Sequence, residues 1–513
     1  MTITSRLVRA TLVGAALTLA TSAHAATCED LAKLALPNTT IDQAQLVAAG
    51  AFSQPGGRGS AGRDVFATLP AFCRVTATVK PSTDSDIKVE VWLPALGWNG
   101  KFQGVGNGGW AGVIGYPAMA AAVAGGYATA STDAGHVGNT AAFALGHPEK
   151  LVDMGYRAVH EMTVQGKAVT QSFYGRGATL SFFNGCSLGG RQAITEAERF
   201  PADYNGILAG APAIYNMQIH VGRVAVNAIA HRTPEGYIPP EKYAAVHAAV
   251  MNACDGLDGV KDGVLEDPLQ CHFDPKVLEC KGADTAACLT APQVETMRQM
   301  YAPMNTGKAG MMPPLLQPGT ELNWSTLAGP EPVGTALEPM RFIVFKDPTW
   351  NVTHFNAATD FDRALQADYD NILSLTDPNL KPFFDRGGKL LMYHGWQDPQ
   401  VPAQSSPRYF NDVLKTVGAN VANTSIQLYM IPGMNHCQGG PGTDTFDKMT
   451  AIESFVATGK APAKIVASHR TSGAVDKTRP LCPFGQVARW NGTGSTNCAE
   501  NFACVAESSQ STR

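Results

Sequence analysis

Thr179 to Phe183 is a short apolar and β-prone run that leads straight into Gly185-Cys186-Ser187-Leu188-Gly189. A G-x-S-x-G placed between a strand and a helix forms a sharp elbow that pushes its serine out of the backbone as a nucleophile. No other feature constrains the chain as much, because such a serine needs a strand behind it, a helix ahead of it and a sheet to hold both. Far downstream stand Asp398 and then Asn435-His436-Cys437, so a nucleophile, an acid and a base occur in the order Ser, Asp, His. A cysteine neighbours both the serine and the histidine. If Ser187 and His436 come within hydrogen-bond reach, roughly 3 Å, Cys186 and Cys437 fall near the Cα separation of about 4.4–6.8 Å that a disulfide requires.

The flanking pattern supplies the sheet. Val89 to Leu93, Lys101 to Val105 and Tyr127 to Thr132 read as strands, as do Thr179 to Phe183 and Gly206 to Ala209. Between them, apolar residues recur at helical spacing from Asp153 to Tyr174, and Gly175-Arg176-Gly177 stops that helix. After Ile214 the alternation breaks, and it returns only at Gly388 to Tyr393 and Ser425 to Ile431, each followed by a catalytic candidate. Alternating strands and helices argue a mostly parallel sheet covered on both faces. The Ser-Asp-His order is that of the α/β-hydrolase triad. The expected architecture is therefore an α/β-hydrolase core built from residues 26–213 and 381–513, with a lid domain, 214–380, inserted between the strands that carry Ser and Asp.

Residues 1–25 have the form of an export signal: Arg6 and Arg9, an apolar run from Ala10 to Ala20, and Ala23-His24-Ala25 as a small-residue cleavage site. That run is too short to span a bilayer, and no later stretch is long enough. A secreted or periplasmic protein is expected. Its net charge of −4 over 513 residues gives no footprint for nucleic acid or an anionic membrane, and no partner protein is implied. The 11 cysteines all follow the signal, which in an exported protein suggests a disulfide set with one thiol left over. Cys28–Cys73, Cys254–Cys271 and Cys280–Cys288 are local pairs, with a further pair among Cys482, Cys498 and Cys504; spacing alone does not settle the connectivity.

A hydroxyl is a weak nucleophile until a base takes its proton. His436, after a strand and the Pro432-Gly433 turn, supplies the base, and Asp398 orients it and stabilises its charged form. Charge developing on the ester oxygen needs preorganised donors. The candidates are the backbone N–H of Leu188 and one in the Gly106-Asn107-Gly108 turn, Gly106 and Asn107 first among them. His394 precedes the acid and is expected to face the sheet's packing, while His136 is expected to be a structural hydrogen-bonder. Within the insertion, Asp255, Asp258 and Asp262 sit at spacings of three and four in an Asp-Gly-rich loop. Such carboxylates can converge on a hard cation such as calcium or simply form solvated turns.

At these residues the chain resembles the tannase and feruloyl esterase family, whose relatives include hydrolases of mono(2-hydroxyethyl) terephthalate. The resemblance covers nearly the whole mature chain. It is carried by Gly185-Cys186-Ser187, Phe200-Pro201 through Ala211-Pro212, Tyr393-His394-Gly395 with Asp398, Pro432-Gly433-Met434-Asn435-His436-Cys437, and Arg479-Pro480-Leu481-Cys482-Pro483. It implies a Ser187–His436–Asp398 triad, a Cys186–Cys437 disulfide, and the bridges Cys28–Cys73, Cys254–Cys271, Cys280–Cys288 and Cys482–Cys504, with Cys498 left over. It also implies a structural calcium ion held by the Asp255, Asp258 and Asp262 side chains and the Val260 and Val264 carbonyls. The implied activity is that of a serine carboxylesterase acting on small aromatic acid esters, galloyl or feruloyl, through an acyl-enzyme. Trp324, Phe342, Phe345 and Trp350 of the lid are candidates to hold the aromatic ring or, equally, to form the lid's own core. The alternatives are a terephthalate-monoester hydrolase or an exopeptidase on the same fold and, from a different class, a non-catalytic binding protein for phenolics.

Overall fold

The computed structural model describes residues 26–55, 63–331 and 334–506. The expected export signal, residues 1–25, lies outside them. Nine strands form the central sheet: β1 (Thr39–Val47), β2 (Phe72–Val79), β3 (Ile87–Pro94), β4 (Lys101–Val105), β5 (Ala128–Thr132), β6 (Leu180–Cys186), β7 (Gly206–Gly210), β8 (Lys389–Gly395) and β9 (Ile426–Ile431). Their spatial order is β1-β2-β3-β5-β4-β6-β7-β8-β9. The first three strands pair antiparallel and β3 meets β5 antiparallel, while β5 through β9 run parallel.

This is the α/β-hydrolase sheet, mostly parallel as expected. Its middle strands are buried on both faces, and β7 is apolar and buried along its whole length. On β6 the adjacent rings of Phe182 and Phe183 point to opposite faces, and both are fully buried. One joins a cluster with Leu391 and Ile431, the other a cluster with Met392 and Leu428. Deleting either ring would cost about 3–5 kcal/mol. Helix α1 (Ala158–Tyr174) covers β3 and β5, and Gly175 in the left-handed conformation ends it. Helix α2 (Leu188–Arg199) follows β6 directly, and every residue from Leu188 to Ala197 is buried.

Between β7 and β8 none of the described residues adds a strand to the central sheet. This insertion contains short helices and a small hairpin, and it has its own apolar core around Trp324, Val221, Met297 and Phe361. The same core reaches Trp110 and Leu188 of the catalytic half, so the insertion is seated on the sheet's carboxyl edge. After β9 the chain forms two further hairpins, Ile465–Thr471 with Ala474–Leu481 and Gln486–Trp490 with Phe502–Ala506. Among the described residues no helix is long and apolar enough to cross a membrane.

Candidate active site

Cys186 ends β6 and Leu188 begins α2, which leaves Ser187 as the only residue of the turn, with φ 64° and ψ −120°. A side chain rarely adopts this left-handed region, and strain of this kind clusters at functional sites. The turn closes because its neighbours are glycines. A Cβ on Gly185 would stand 2.3 Å from the Gly189 carbonyl oxygen, and one on Gly189 would stand 2.9 Å from that of Asn107. No other residue type fits at Gly185. The spacing in G-x-S-x-G is thus set by how closely helix, strand and the neighbouring turn must approach.

Asp398 lies in the loop after β8 and is buried. An ionised carboxylate only accepts, so the ring nitrogens facing it carry protons. His436 Nδ1–H donates to Asp398 Oδ2 at 2.7 Å, and His394 Nε2–H donates to the same oxygen at 3.0 Å. The backbone N–H groups of Gln400 and Val401 donate to Oδ1 at 2.8 and 2.9 Å. Burial pushes this carboxyl upward, but the charge of His436 and the hydrogen bonds from His394 and His436 outweigh it. The group is held far below the ordinary carboxylate range. His394 is fully buried, as expected of a packed residue, but it also positions the acid, and its Nδ1 is held by Ser406 Oγ at 2.8 Å. The sequence signal for that role was its place four residues before Asp398.

Ser187, His436, Cys186 and Cys437 line one pocket of about 310 Å³. The two cysteines are bonded, with Cα atoms 6.1 Å apart, so the elbow and the histidine loop are covalently joined. Four more disulfides link Cys28–Cys73, Cys254–Cys271, Cys280–Cys288 and Cys482–Cys504, and Cys498 remains a half-buried thiol. His136 contacts the Trp110 carbonyl at 2.8 Å through Nε2, a structural hydrogen bond.

Two expectations need correction. Gly106 N–H already donates to the Asn184 carbonyl at 3.1 Å, and Asn107 N–H donates to Gln192 Oε1 at 2.9 Å. Neither amide is free for an oxyanion. Asn107 instead braces the turn, its Nδ2 bonded to the carbonyls of Val113 and Thr132. Among the described residues the amides of Leu188, Gly108 and Gly109 have no hydrogen-bond partner, and all three residues line the pocket. The lid aromatics are also placed elsewhere. Trp324 and Trp350 are buried in the insertion's own core, Phe342 and Phe345 pack against it, and none of the four lines the pocket. The ring-sized space is bounded instead by Trp110, Met154, Ile219 and Leu373, together with Asn216, His220 and Arg223.

The acidic loop of the insertion lies against the C-terminal hairpins. Asp255 Oδ1 accepts the N–H groups of Asp262 and Gly263, and Asp258 Oδ1 accepts that of Val260 at 2.9 Å. Asp262 turns its carboxylate to Arg479 and Lys477. The three carboxylates do not gather at one point among the described residues. Burial, with Asp262 and Asp255 close by, pushes the Asp258 carboxyl up to about 6. Three aspartates in one short loop are oxygen donors of the kind that suits a hard divalent cation. Val264, at the end of the loop, packs on Gly433, where a Cβ would come within 3.0 Å of its Cγ1.

An α/β-hydrolase sheet, a strained serine at the β6–α2 elbow and a buried acid–histidine pair beside it are the arrangement of an α/β-hydrolase. Comparison with known proteins narrows the class. Residues 73–505 match the family model described as "Tannase and feruloyl esterase", and the chain belongs to that family. It is a carboxylic ester hydrolase. It is 37% identical to an uncharacterised esterase of Xanthomonas campestris pv. campestris, across 96% of this chain and 93% of that one. It is 31% identical to a probable feruloyl esterase B-2 of Aspergillus terreus, across 94% and 96%. The crystal structure of feruloyl esterase B from Aspergillus oryzae superposes with a TM-score of 0.86 at 31% identity, covering 93% of this chain and 99% of that one.

Proposed function

We propose that this protein hydrolyses esters of aromatic acids, feruloyl or galloyl, with Ser187 as nucleophile, His436 as base and then acid, and Asp398 as the group that orients it. The observation that carries this reading is the Asp398–His436 hydrogen bond at the pocket that also holds the strained Ser187. Ser187 Oγ attacks the ester carbonyl as His436 Nε2 takes its proton. The tetrahedral oxygen is held by the N–H groups of Leu188 and Gly108. His436 then returns the proton to the leaving alcohol, and water repeats the sequence to release the acid. The names of the relatives, feruloyl esterases B among them, support the aromatic acyl group.

The insertion, residues 214–380, acts as the lid, since Asn216, Ile219, His220, Arg223, Thr335 and Leu373 close one side of the pocket. Asp255, Asp258 and Asp262, with the Val260 and Val264 carbonyls, would hold a structural calcium ion once Asp262 turns from Arg479. Export to the periplasm or medium accords with the five disulfides. The test is a panel of feruloyl, caffeoyl, galloyl and simple alkyl esters, assayed with the wild-type enzyme and Ser187→Ala. Aromatic esters should be preferred, and Ser187→Ala should lose hydrolysis while its melting temperature stays near that of the wild type. Near-normal turnover in that variant would place the nucleophile elsewhere.

A further inference from the structure

One short stretch of the insertion touches both catalytic loops. Residues 315–324 run from the buried pair Leu315 and Leu316 to the fully buried Trp324. Gln317 Nε2–H donates to the Trp396 carbonyl, two residues before the acid. Gly319 packs on the following side chain, where a Cβ would stand 3.0 Å from Gln397 Nε2. Asn323 Nδ2–H donates to Asn435 Oδ1 at 3.2 Å, one residue before the base. None of Gln317, Gly319 and Asn323 lines the Ser187 pocket, so a substrate held there does not meet them.

The stretch is braced from within. Thr320 Oγ1–H donates to the Gln317 carbonyl at 2.7 Å, and the same oxygen accepts Trp324 Nε1–H at 3.2 Å. Glu321, fully buried, accepts the Gly319 N–H at 2.8 Å, His247 Nδ1–H at 2.7 Å and the Tyr301 hydroxyl. A buried carboxylate met by three donors holds the backbone around it in one arrangement. On the catalytic side the two loops are already zipped together. Trp396 N–H donates to the Ile431 carbonyl at 2.9 Å, and Gln397 N–H to that of Met434 at 3.0 Å. Gly395 permits the approach, since a Cβ there would lie 2.1 Å from the Met434 carbonyl oxygen. Past Met434 that zip ends. Asn435 is held by its N–H on the Gly439 carbonyl at 2.9 Å and by its side chain on Asn323. The residue next to the base therefore leans on the insertion.

We propose that Gln317 and Asn323 are positioning residues for the triad, so that the insertion holds the acid and histidine loops in register as well as covering the pocket. Gln317 fixes the entry to the acid loop, and Asn323 fixes the approach to His436. Neither takes part in bond making or breaking. The inference rests on the reading of Ser187, Asp398 and His436 as the triad, and it adds the shell that keeps their side chains aimed. A misplacement of about 1 Å costs about 10²-fold, so loosening the histidine loop by a fraction of that should cost about tenfold.

A double-mutant cycle tests it, with Asn323→Leu, Asn435→Leu and the two combined, each assayed on methyl ferulate and on 4-nitrophenyl acetate. Each single variant should lower kcat by about tenfold on both esters with KM little changed, because no substrate contact is lost. The double variant should be no slower than the single ones, since all three lack the same bond. Gln317→Met, which keeps the bulk and removes the donor, should lower kcat in the same way. Phe361→Leu, in the insertion's core, is the control: it should lower the melting temperature and leave kcat near wild type, every rate being taken well below the variant's own melting temperature. Wild-type kcat in Asn323→Leu and Gln317→Met overturns the proposal, as do losses that multiply in the double variant. A loss confined to methyl ferulate, or to KM, overturns it too, because Asn323 would then shape the pocket. If Phe361→Leu is slowed like the others, the contact only fastens the insertion down, and the proposal fails. Ser187→Ala, assayed beside them, keeps the two readings apart. Near-normal turnover there sinks the triad and this inference with it, whereas lost turnover there with an unimpaired Asn323→Leu sinks the positioning role alone.

Discussion

The acid of the site is a buried anion that survives because four hydrogen bonds converge on it. Removing its charge while keeping its shape should misorient His436, and Asp398→Asn is expected to lower kcat by about 10⁴, as in comparable triads. Substantial activity in that variant would transfer the role to another carboxylate. His394→Phe removes a donor from Oδ2 and leaves the His436 bond in place. A smaller loss of kcat, on the order of tenfold, is expected there, with KM little changed, because a bond made by the acid and not by the substrate is lost. A KM effect larger than the kcat effect would show that His394 shapes the pocket instead. At this scale the sequence was legible wherever chemistry fixes the residue type. Ser187, Asp398 and His436 stood in triad order, and cysteines marked the two ends of the clamp. The turn beside the elbow was legible in its glycines, but which of its amides is free was not, because an N–H has no side-chain signature. Only the hydrogen bonds of Gly106 and Asn107 reveal that both are already engaged.

Helix α2 does more than present Ser187 at its start. Near its far end Glu196 is fully buried, and neither carboxylate oxygen has a hydrogen-bond partner. Burial first, then the neighbouring Asp203, raise its carboxyl well above the ordinary value. A group whose folded value is raised lends stability that is fully present below its unfolded value, about 4.3, and is lost as pH rises through the folded one. Glu196→Gln mimics the protonated form and does not titrate. Its melting temperature relative to wild type should therefore climb steadily as pH is raised from 5 to 9. A constant difference across that range would mean that Glu196 carries the same charge in the folded and the unfolded chain there, so that burial does not raise it. Elements differ in legibility for a related reason. The parallel strands β4 to β9 are covered on both faces and read as apolar runs, as does the antiparallel β3 beside them, so all were recognised. β1, Thr-Thr-Ile-Asp-Gln-Ala-Gln-Leu-Val, is an edge strand with mostly exposed side chains and offers no such run. The C-terminal hairpins are likewise polar and partly exposed, and they went unread.

Across the whole molecule, three distant parts of the chain meet at the histidine loop. Cys437 ties it to the elbow, Val264 of the acidic loop packs on Gly433, and Arg479 of the C-terminal hairpin engages Asp262. A metal that binds only the folded chain stabilises it by mass action, so chelation should lower the melting temperature by about a few degrees, and calcium should restore it. If melting is unchanged and metal analysis of the purified protein finds no calcium, Arg479 and Lys477 alone hold the loop. The 251-residue span closed by Cys186–Cys437 contributes on the order of 5 kcal/mol in the chain-entropy picture. Yet Cys186→Ala with Cys437→Ala should lose more turnover than that destabilisation explains, since a shift of about 1 Å between reacting groups costs about 10²-fold. Equal turnover, measured well below the variant's melting temperature, would make this bond an ordinary staple. The clamp has a further consequence for the life of the chain. In a thiol-rich cytosol the two sulfurs stay apart, and the serine and its base are not held in register. Reductant should therefore silence the enzyme and reoxidation switch it on again, a redox dependence of turnover that an assay with and without thiol reads directly.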